Sequence, residues 1–280
     1  MSIINYFFKK LLNIKPISIS SNEDSEKYYE EGVNYYKEGK YKEAVQSFDK
    51  AIELDNTKSK YYSARGRAKD KLEQYKKAKK DAEMALKLDK NNAESYLVFG
   101  NIKISLNKYK KAIKDYDKAI ELNPNDSDAY FNRGLAKYNL GQYEEAIKDY
   151  DKAIELNPND SDAYNNRGIV KDVLGQYEEA IKDYNKTMEL DHNESSDVYN
   201  NRGLAKYNLC QYEEAINDYN KAIELNPNES AAYNNRGAAK RKLGQYEDAL
   251  KDCKKALELC PNDMLFKRNI KNIQNQYDLR

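Results

Sequence analysis

The chain has 280 residues, of which 34% are charged, and its formal net charge is +1 because 48 Lys and Arg residues oppose 47 Asp and Glu residues. This balance gives no global attraction to nucleic acid, and three cysteines are too few for a disulfide framework. No apolar run of about 18 residues occurs, so the sequence predicts no membrane-spanning helix, and a reducing, cytoplasmic location fits best.

The N-terminal region, residues 1–24, is predicted to be an amphipathic helix followed by a flexible linker. Residues 3–14 read IINYFFKKLLNI, in which apolar residues recur at helical spacing while the two lysines point elsewhere. Residues 17–24, ISISSNED, read as the linker. The helix could pack on the chain that follows, lie on a membrane surface or occupy a groove of the protein itself, and the sequence leaves these alternatives open.

A repeat of about 34 residues organises most of the remaining chain. Its clearest marker is a glycine that recurs at intervals of 34, 34, 34, 34, 35 and 34 residues: Gly32, Gly66, Gly100, Gly134, Gly168, Gly203 and Gly237. We number positions so that this glycine is the eighth residue of its repeat. The seven repeats then span 25–58, 59–92, 93–126, 127–160, 161–195, 196–229 and 230–262.

Each repeat is predicted to form two helices. Positions 1–14 have helical spacing, and a break that often reads Gly-Gln follows, as at Gly141. A second helix over positions 18–31 then stops before an Asn-Pro pair, as at Pro158. Small residues at positions 8, 20 and 27 allow the two helices to approach closely, and tyrosines at positions 4 and 17 are expected to fill the remaining volume.

This pattern resembles that of the tetratricopeptide repeat (TPR) family from about residue 25 to residue 261. In the fourth repeat the family residues are Gly134, Tyr143, Ala146, Tyr150, Ala153 and Pro158. The resemblance implies an all-α fold, a right-handed α-solenoid of seven stacked antiparallel helix pairs. It also implies that the first helices line a concave groove that binds peptides of partner proteins, since family members are mostly scaffolds and adaptors.

The sequence departs from the family at position 7, where arginine replaces the usual apolar residue in five repeats. Each of these repeats also has aspartate at position 23, and arginine suits partly buried pairing. We therefore predict five pairs that join the two helices of a repeat: Arg65–Asp81, Arg133–Asp149, Arg167–Asp183, Arg202–Asp218 and Arg236–Asp252.

Three further features of the array are predicted. The second repeat should be packed more loosely, because Ala82 replaces the aromatic ring that most repeats have at position 24. The extra residue within 190–199 should be absorbed in the turn between the fifth and sixth repeats. Residues 263–280, with apolar residues at helical spacing and polar ones around them, should form a capping helix over the last repeat.

The candidate peptide-binding site lies on the exposed side of the first helices in the fourth to seventh repeats. Position 6 is a column of amides that can each donate to and accept from a peptide backbone, and we expect no other group to satisfy them: Asn132, Asn166, Asn201 and Asn235. Beside them lie Leu135, Ile169, Leu204, Tyr138, Tyr207, Asp128, Asp162 and Asp197. A competing interpretation is that recent duplication repeated the asparagine without use.

Catalysis is not expected. The only histidine, His192, falls in a turn between repeats, so no histidine-based metal site or catalytic pair can form, and no phosphate-binding glycine loop occurs. The many carboxylates recur at repeat spacing, which is typical of exposed helix faces. We therefore predict no enzyme activity, no metal and no cofactor.

Two functional hypotheses follow. The first is an interaction scaffold that binds an extended peptide or a partner surface in the groove of the fourth to seventh repeats. The alternative is a membrane-surface assembly or tethering factor that uses residues 3–14. Charge is segregated along the array, with the second repeat at +6 and the fourth to sixth at −3, −4 and −3. Such segregation would also favour head-to-tail self-association.

Overall fold

The computed structural model describes residues 19–191 and 195–277. These residues form fifteen α-helices and no strand. The first helices of the repeats are α1 (Ile19–Lys37), α3 (Ser59–Lys71), α5 (Ala93–Ser105), α7 (Ser127–Tyr138), α9 (Ser161–Val173), α11 (Ser196–Asn208) and α13 (Ser230–Lys242). The second helices are α2 (Tyr41–Leu54), α4 (Tyr75–Leu88), α6 (Tyr109–Leu122), α8 (Tyr143–Leu156), α10 (Tyr177–Leu190), α12 (Tyr212–Leu225) and α14 (Tyr246–Leu259). The last helix is α15 (Met264–Tyr277).

Helix α1 begins earlier than the sequence predicts. It starts at Ile19, inside the segment 17–24 that was expected to be a linker. Ser and Asn are common in turns, which favoured the linker, but extending an existing helix by one residue costs far less than starting a new one. The predicted amphipathic helix at 3–14 lies outside the described residues.

The chain divides into two compact units, residues 1–136 and residues 137–280, and the boundary falls within α7. In the first unit α1 contacts α3 and α3 contacts α5, and in the second unit α9, α11, α13 and α15 contact one another in sequence. Among the described residues, successive second helices make no such contacts. The first helices therefore line the inner face of each unit, and the fold is the all-α helical-repeat solenoid that the sequence predicts.

The turns follow the expected chemistry. Within a repeat, the chain reverses through a residue with positive φ, such as Gly141 at 75°, and Cys210 adopts 61° at the equivalent place. Between repeats, the connection from α8 to α9 has four residues, 157–160, whereas that from α10 to α11 has five, 191–195. The extra residue is therefore absorbed in that connection, as predicted.

The core of most repeats is an aromatic ring held between small residues. At position 24 the rings of Tyr184 and Tyr219 are at most 1% exposed, whereas the tyrosines at position 17 are half-buried. The position-24 rings, rather than those at positions 4 and 17, therefore fill most of the space between the helices. A Cβ atom added at Gly203 would lie 2.7 Å from Cε1 of Tyr219, so this close approach requires glycine.

The second repeat lacks this ring, because Ala82 stands at position 24. A Cβ atom added at Gly66 would find its nearest neighbour, the Ala78 carbonyl oxygen, at 3.3 Å. The two helices of this repeat therefore leave more room beside the glycine, which agrees with the predicted looser packing.

Helix α15 covers the last helix pair. Phe266 and Ile273 are 5% and 1% exposed, and Ile273 packs against Ala249 and Cys253 of α14. Most of the remaining residues of α15 are exposed and polar, which suits the end of a repeat array.

Exchanging Gly203 for alanine should destabilise the protein, whereas Gly66→Ala should be close to neutral. The new methyl group collides with a buried ring in the first variant, at a cost of about 1–3 kcal/mol. In the second, the alanine gains about 1 kcal/mol of helix propensity against a milder contact. Urea unfolding followed by circular dichroism measures both, and equal midpoints for the two variants would contradict the close-approach argument.

Candidate functional site

A polar network joins the two helices of each repeat and occupies the arginines at position 7. In four repeats the guanidinium Nε and Nη2 donate to both carboxylate oxygens of the position-23 aspartate, at 2.8–2.9 and 2.5–2.6 Å. The confirmed pairs are Arg65–Asp81, Arg167–Asp183, Arg202–Asp218 and Arg236–Asp252. The fifth pair, Arg133–Asp149, stays a prediction.

Two parts of this network were missed from the sequence. The third guanidinium nitrogen reaches position 25 of the preceding repeat, so Arg167 Nη1 donates to Asp151 at 2.6 Å and Arg202 Nη1 donates to Asn185 at 2.7 Å. The lysine at position 11 bonds the same aspartate as the arginine, as Lys171 does with Asp183 at 2.8 Å. The recurring Asp or Asn at position 25 was the available signal. These arginine and lysine side chains therefore stabilise the fold by joining helices and neighbouring repeats.

The pKa of Arg167 shows how strong this pairing is. Burial alone lowers the pKa of a guanidinium, but the bonds to Asp183 and Asp151 outweigh burial and raise the pKa above its usual value. The Arg167 side chain is 16% exposed and Asp183 is 5% exposed, so the pair is protected from solvent screening.

The position-6 asparagines are half-buried on the first helices, and three of the four already donate a hydrogen bond within the protein. Asn132 and Asn166 each donate from Nδ2 to the carbonyl oxygen four residues earlier, at 2.8 Å. Asn235 Nδ2 donates to Asn200 Oδ1 at 3.1 Å. Among the described residues, the Asn201 side chain forms no hydrogen bond. The expectation that only a bound peptide could satisfy this column is therefore wrong for three members.

A second amide column at position 5 was missed from the sequence, although Asn165, Asn200 and Asn234 recur there. Asn269 Nδ2 of α15 donates to Asn234 Oδ1 at 2.8 Å, and Asn234 Nδ2 donates to Asn235 Oδ1 at 3.4 Å. With the bond from Asn235 to Asn200, a chain of amides crosses α15, α13 and α11. The Oδ1 atom of Asn165, on the next helix, is buried and has no partner among the described residues.

The apolar residues of the predicted site contribute to the contacts between repeats. Ile169 packs on a buried cluster that contains Tyr184 and Val198, and Tyr207 packs on one that contains Tyr219. The rings of Tyr138 and Tyr207 lie 5.8 and 5.4 Å from the tyrosines that begin the second helices of their repeats, Tyr143 and Tyr212. Leu135 and Leu204 are also half-buried. These side chains are therefore partly used in packing within and between repeats.

The three predicted acidic residues are exposed but differ in their partners. Asp128 accepts from Arg67 Nη2 at 2.5 Å, and the same guanidinium bonds Glu94 at 3.2 Å and lies 5.1 Å from the ring centre of Tyr36. Asp162 and Asp197 have no cationic partner among the described residues. The structure thus gives Asp128 an internal role in the first unit.

Asp172, at position 12 of the fifth repeat, was not predicted as a site residue. Burial raises the pKa of its carboxyl group above the usual 3.8, and its Oδ1 atom is buried without a partner among the described residues. The hydroxyl group of Tyr219 is likewise buried and unpartnered within the described ranges. Burial raises the pKa of Tyr219 most, and the nearby charge of Asp172 adds to the rise.

Neither a metal-binding cluster nor a membrane-spanning helix is found in the part of the chain that the structure describes. There, no group of three or more His, Cys, Asp or Glu side chains is placed to hold a metal ion. No helix within the described ranges is long and apolar enough to cross a bilayer. His192 lies outside the described residues.

Family comparisons identify the repeat. Models described as tetratricopeptide repeat or TPR repeat match residues 25–58, 59–92, 100–141, 127–160, 149–182, 196–229 and 230–263. These matches together span most of the chain. No curated protein matches the sequence.

Solved structures share the fold. YrrB, described as a TPR protein with an unusual peptide-binding site, is 26% identical over 68% of this chain and 97% of its own, with a TM-score of 0.60. A chain of the APC/C hetero-tetramer Cut9–Hcn1 is 17% identical over 86% of this chain and 48% of its own length, with a TM-score of 0.68. PilF of Pseudomonas aeruginosa is 18% identical over 76% of this chain and 96% of its own, with a TM-score of 0.65.

Asp172→Asn should stabilise the protein at neutral pH by about 1 kcal/mol, because it removes the charge of a half-buried carboxylate whose buried Oδ1 atom has no donor. The folded pKa of Asp172 is raised, so the wild-type carboxylate costs stability once the pH exceeds the unfolded pKa. Below about pH 3.9 both states of the wild type are protonated, and the advantage of the variant should vanish. Melting temperatures of both proteins between pH 3 and pH 7 measure this difference, and an advantage that is constant with pH would contradict the assignment.

Proposed function

The chain belongs to the tetratricopeptide repeat family, and we propose that it is a non-catalytic interaction scaffold whose second unit binds an extended peptide of a partner protein. The proposed site is the inner surface of α9, α11 and α13, which we call the amide face. It consists of the asparagines at positions 5 and 6 of the last three repeats: Asn165, Asn166, Asn200, Asn201, Asn234 and Asn235.

The observation that carries the proposal is the unused hydrogen-bonding capacity of this face. A side-chain amide offers two donors and an acceptor, so it can pair with a peptide backbone whatever the peptide sequence. The buried Oδ1 of Asn165 has no partner, and Asn201 makes no side-chain bond, among the described residues. A buried polar group without a partner costs about 1–3 kcal/mol, and a bound backbone would remove that cost.

The first unit does not offer an equivalent face. In the third repeat, positions 5 and 6 are Leu97 and Val98, which are 1% and 0% exposed. On the same side, Arg67 bonds two carboxylates of later repeats, as described above. Asn132 and Asp128 of the predicted column lie in this unit, and we leave them out of the proposed site.

The likeness to YrrB supports a peptide as the ligand. That protein is described as having a peptide-binding site, and its 26% identity extends over 68% of this chain. The likeness supports the class of ligand, whereas the site itself is proposed from the residues of this chain.

Replacing Asn166 and Asn201 together by alanine should weaken peptide binding without unfolding the protein. Both side chains are half-buried on helices, and the only bond lost is that from Asn166 to its own helix. The measurement is selection of random peptides displayed on phage against the full chain, followed by the affinity of synthetic copies. We expect a loss of at least tenfold for the best peptides.

The matched control replaces two exposed turn asparagines, Asn159 and Asn228, by alanine. This control removes the same groups away from the inner face and should bind normally. Peptides that bind wild type and the Asn166/Asn201 variant equally would exclude the amide face as the site.

A second candidate function is attachment to a membrane surface through residues 3–14. The observation in its favour is the sequence pattern, in which apolar residues recur at helical spacing beside Lys9 and Lys10. If it holds, the full chain should float with vesicles that contain anionic lipid, and a chain lacking residues 1–16 should remain at the bottom of the gradient. Equal flotation of the two proteins would remove the tether from consideration.

A further inference from the structure

We propose that the peptide bound by the amide face is cationic, and that a lysine or arginine side chain of it bonds Asp172. This inference rests on the proposed function and names the class of its ligand.

The charges on α9 and α11 are the first argument. These two helices carry four cations, and each is bonded to a buried aspartate of its own repeat: Arg167, Lys171, Arg202 and Lys206. The other charged residues of the two helices are Asp162, Asp172 and Asp197, and none has a cationic partner among the described residues. The uncompensated charge of this part of the inner face is therefore entirely negative.

The first unit shows which groups neutralise such carboxylates. There the acidic residues at position 2 are neutralised from within: Lys60 bonds Glu26, and Arg67 bonds both Glu94 and Asp128. The residue of the fifth repeat that is equivalent to Arg67 is Ile169, which brings no charge. Asp197 thus lacks the guanidinium that its counterparts in the first unit have.

Position 12 gives an independent comparison. In the first unit, Asn101 Nδ2 donates to Asp70 Oδ2 at 2.9 Å, and Tyr116 donates its hydroxyl hydrogen to Asn101 Oδ1 at 2.9 Å. One amide therefore satisfies both the carboxylate and the phenol.

In the second unit, the residues equivalent to Asp70, Asn101 and Tyr116 are Asp172, Leu204 and Tyr219. Leucine cannot bridge, and the structure accordingly leaves Asp172 Oδ1 and the Tyr219 hydroxyl without partners among the described residues. Tyr219 is 0% exposed, so water cannot readily satisfy its hydroxyl group. The missing component is an N–H donor at Asp172.

A lysine or arginine side chain meets these requirements together. Its N–H groups supply the donor that Asp172 lacks, and its positive charge compensates the negative charge of that carboxylate. Its aliphatic stem can pack along the half-buried Leu204. An acidic peptide would instead meet only like charges on α9 and α11.

The test uses the peptides selected from the random phage library against the full chain. We expect the enriched sequences to share a lysine or arginine at one fixed position. The best synthetic peptide should bind Asp172→Asn at least tenfold more weakly than wild type, and its affinity should fall as the salt concentration rises. The double variant Glu178→Gln, Glu213→Gln changes exposed charges on the second helices and should bind normally.

A second variant, Leu204→Asn, keeps the carboxylate but supplies an internal amide in the place of Asn101. It should raise the melting temperature and also weaken binding at least tenfold, which a merely unfolded variant could not do. Undiminished binding by either Asp172→Asn or Leu204→Asn would overturn the inference, as would enrichment of neutral or acidic peptides.

The inference and the proposed function fail in different ways. If peptides are enriched through Asn166 and Asn201 but carry no shared cation, the amide face stands as a binding site and only the cationic ligand is excluded. If the library yields no peptide that depends on Asn166 and Asn201, the proposed function fails and the inference fails with it.

Discussion

The close approach of two helices over the glycine at position 8 is the constraint on which the rest of this structure depends. Where position 24 has a ring, the ring lies directly on that glycine, as Tyr219 does on Gly203, and it sets the separation of the two helices. That separation brings position 7 opposite position 23, where a guanidinium forms two parallel bonds to a carboxylate. Since the third nitrogen of the arginine reaches the preceding repeat, the same side chain also fixes how neighbouring repeats stack.

This use of the cations determines the character of the inner face. A helix such as α9 carries both signs of charge in its sequence, but Arg167 and Lys171 are bonded to Asp183, which is 5% exposed. The charged groups that remain without a partner on α9 and α11, among the described residues, are carboxylates. In the first unit the carboxylates at position 2 are bonded to Arg67 or Lys60, so these parts of the two units differ in chemistry although they share a repeat.

Much of the fold could be predicted from the sequence, because period, glycine spacing and proline position report on backbone geometry. The pairing of Arg202 with Asp218 was also predictable, since every repeat with arginine at position 7 has aspartate at position 23. The hydrogen bonds of the asparagines could not be predicted. Whether Asn166 bonds its own helix or a bound peptide depends on a side-chain rotation that residue spacing does not encode. The position-5 column and Asp172 were visible in the sequence, but their importance follows from partners that are missing, and only coordinates reveal a missing partner.

Duplication can account for repeated asparagines, because copying a repeat copies its residues whether or not they are used. Copying of the neighbouring repeats does not account for Asp172, since the repeats on either side have Tyr138 and Tyr207 at the same position. The second repeat also has an aspartate there, Asp70, but an amide of Asn101 bonds it. A half-buried carboxylate with one buried oxygen that lacks a donor lowers the stability of a fold whose net stability is only about 5–15 kcal/mol. A tyrosine at this position would avoid that cost, as it does in the neighbouring repeats. Asp172 therefore differs from the neighbouring repeats in a way that lowers stability, as is expected of a residue that serves binding.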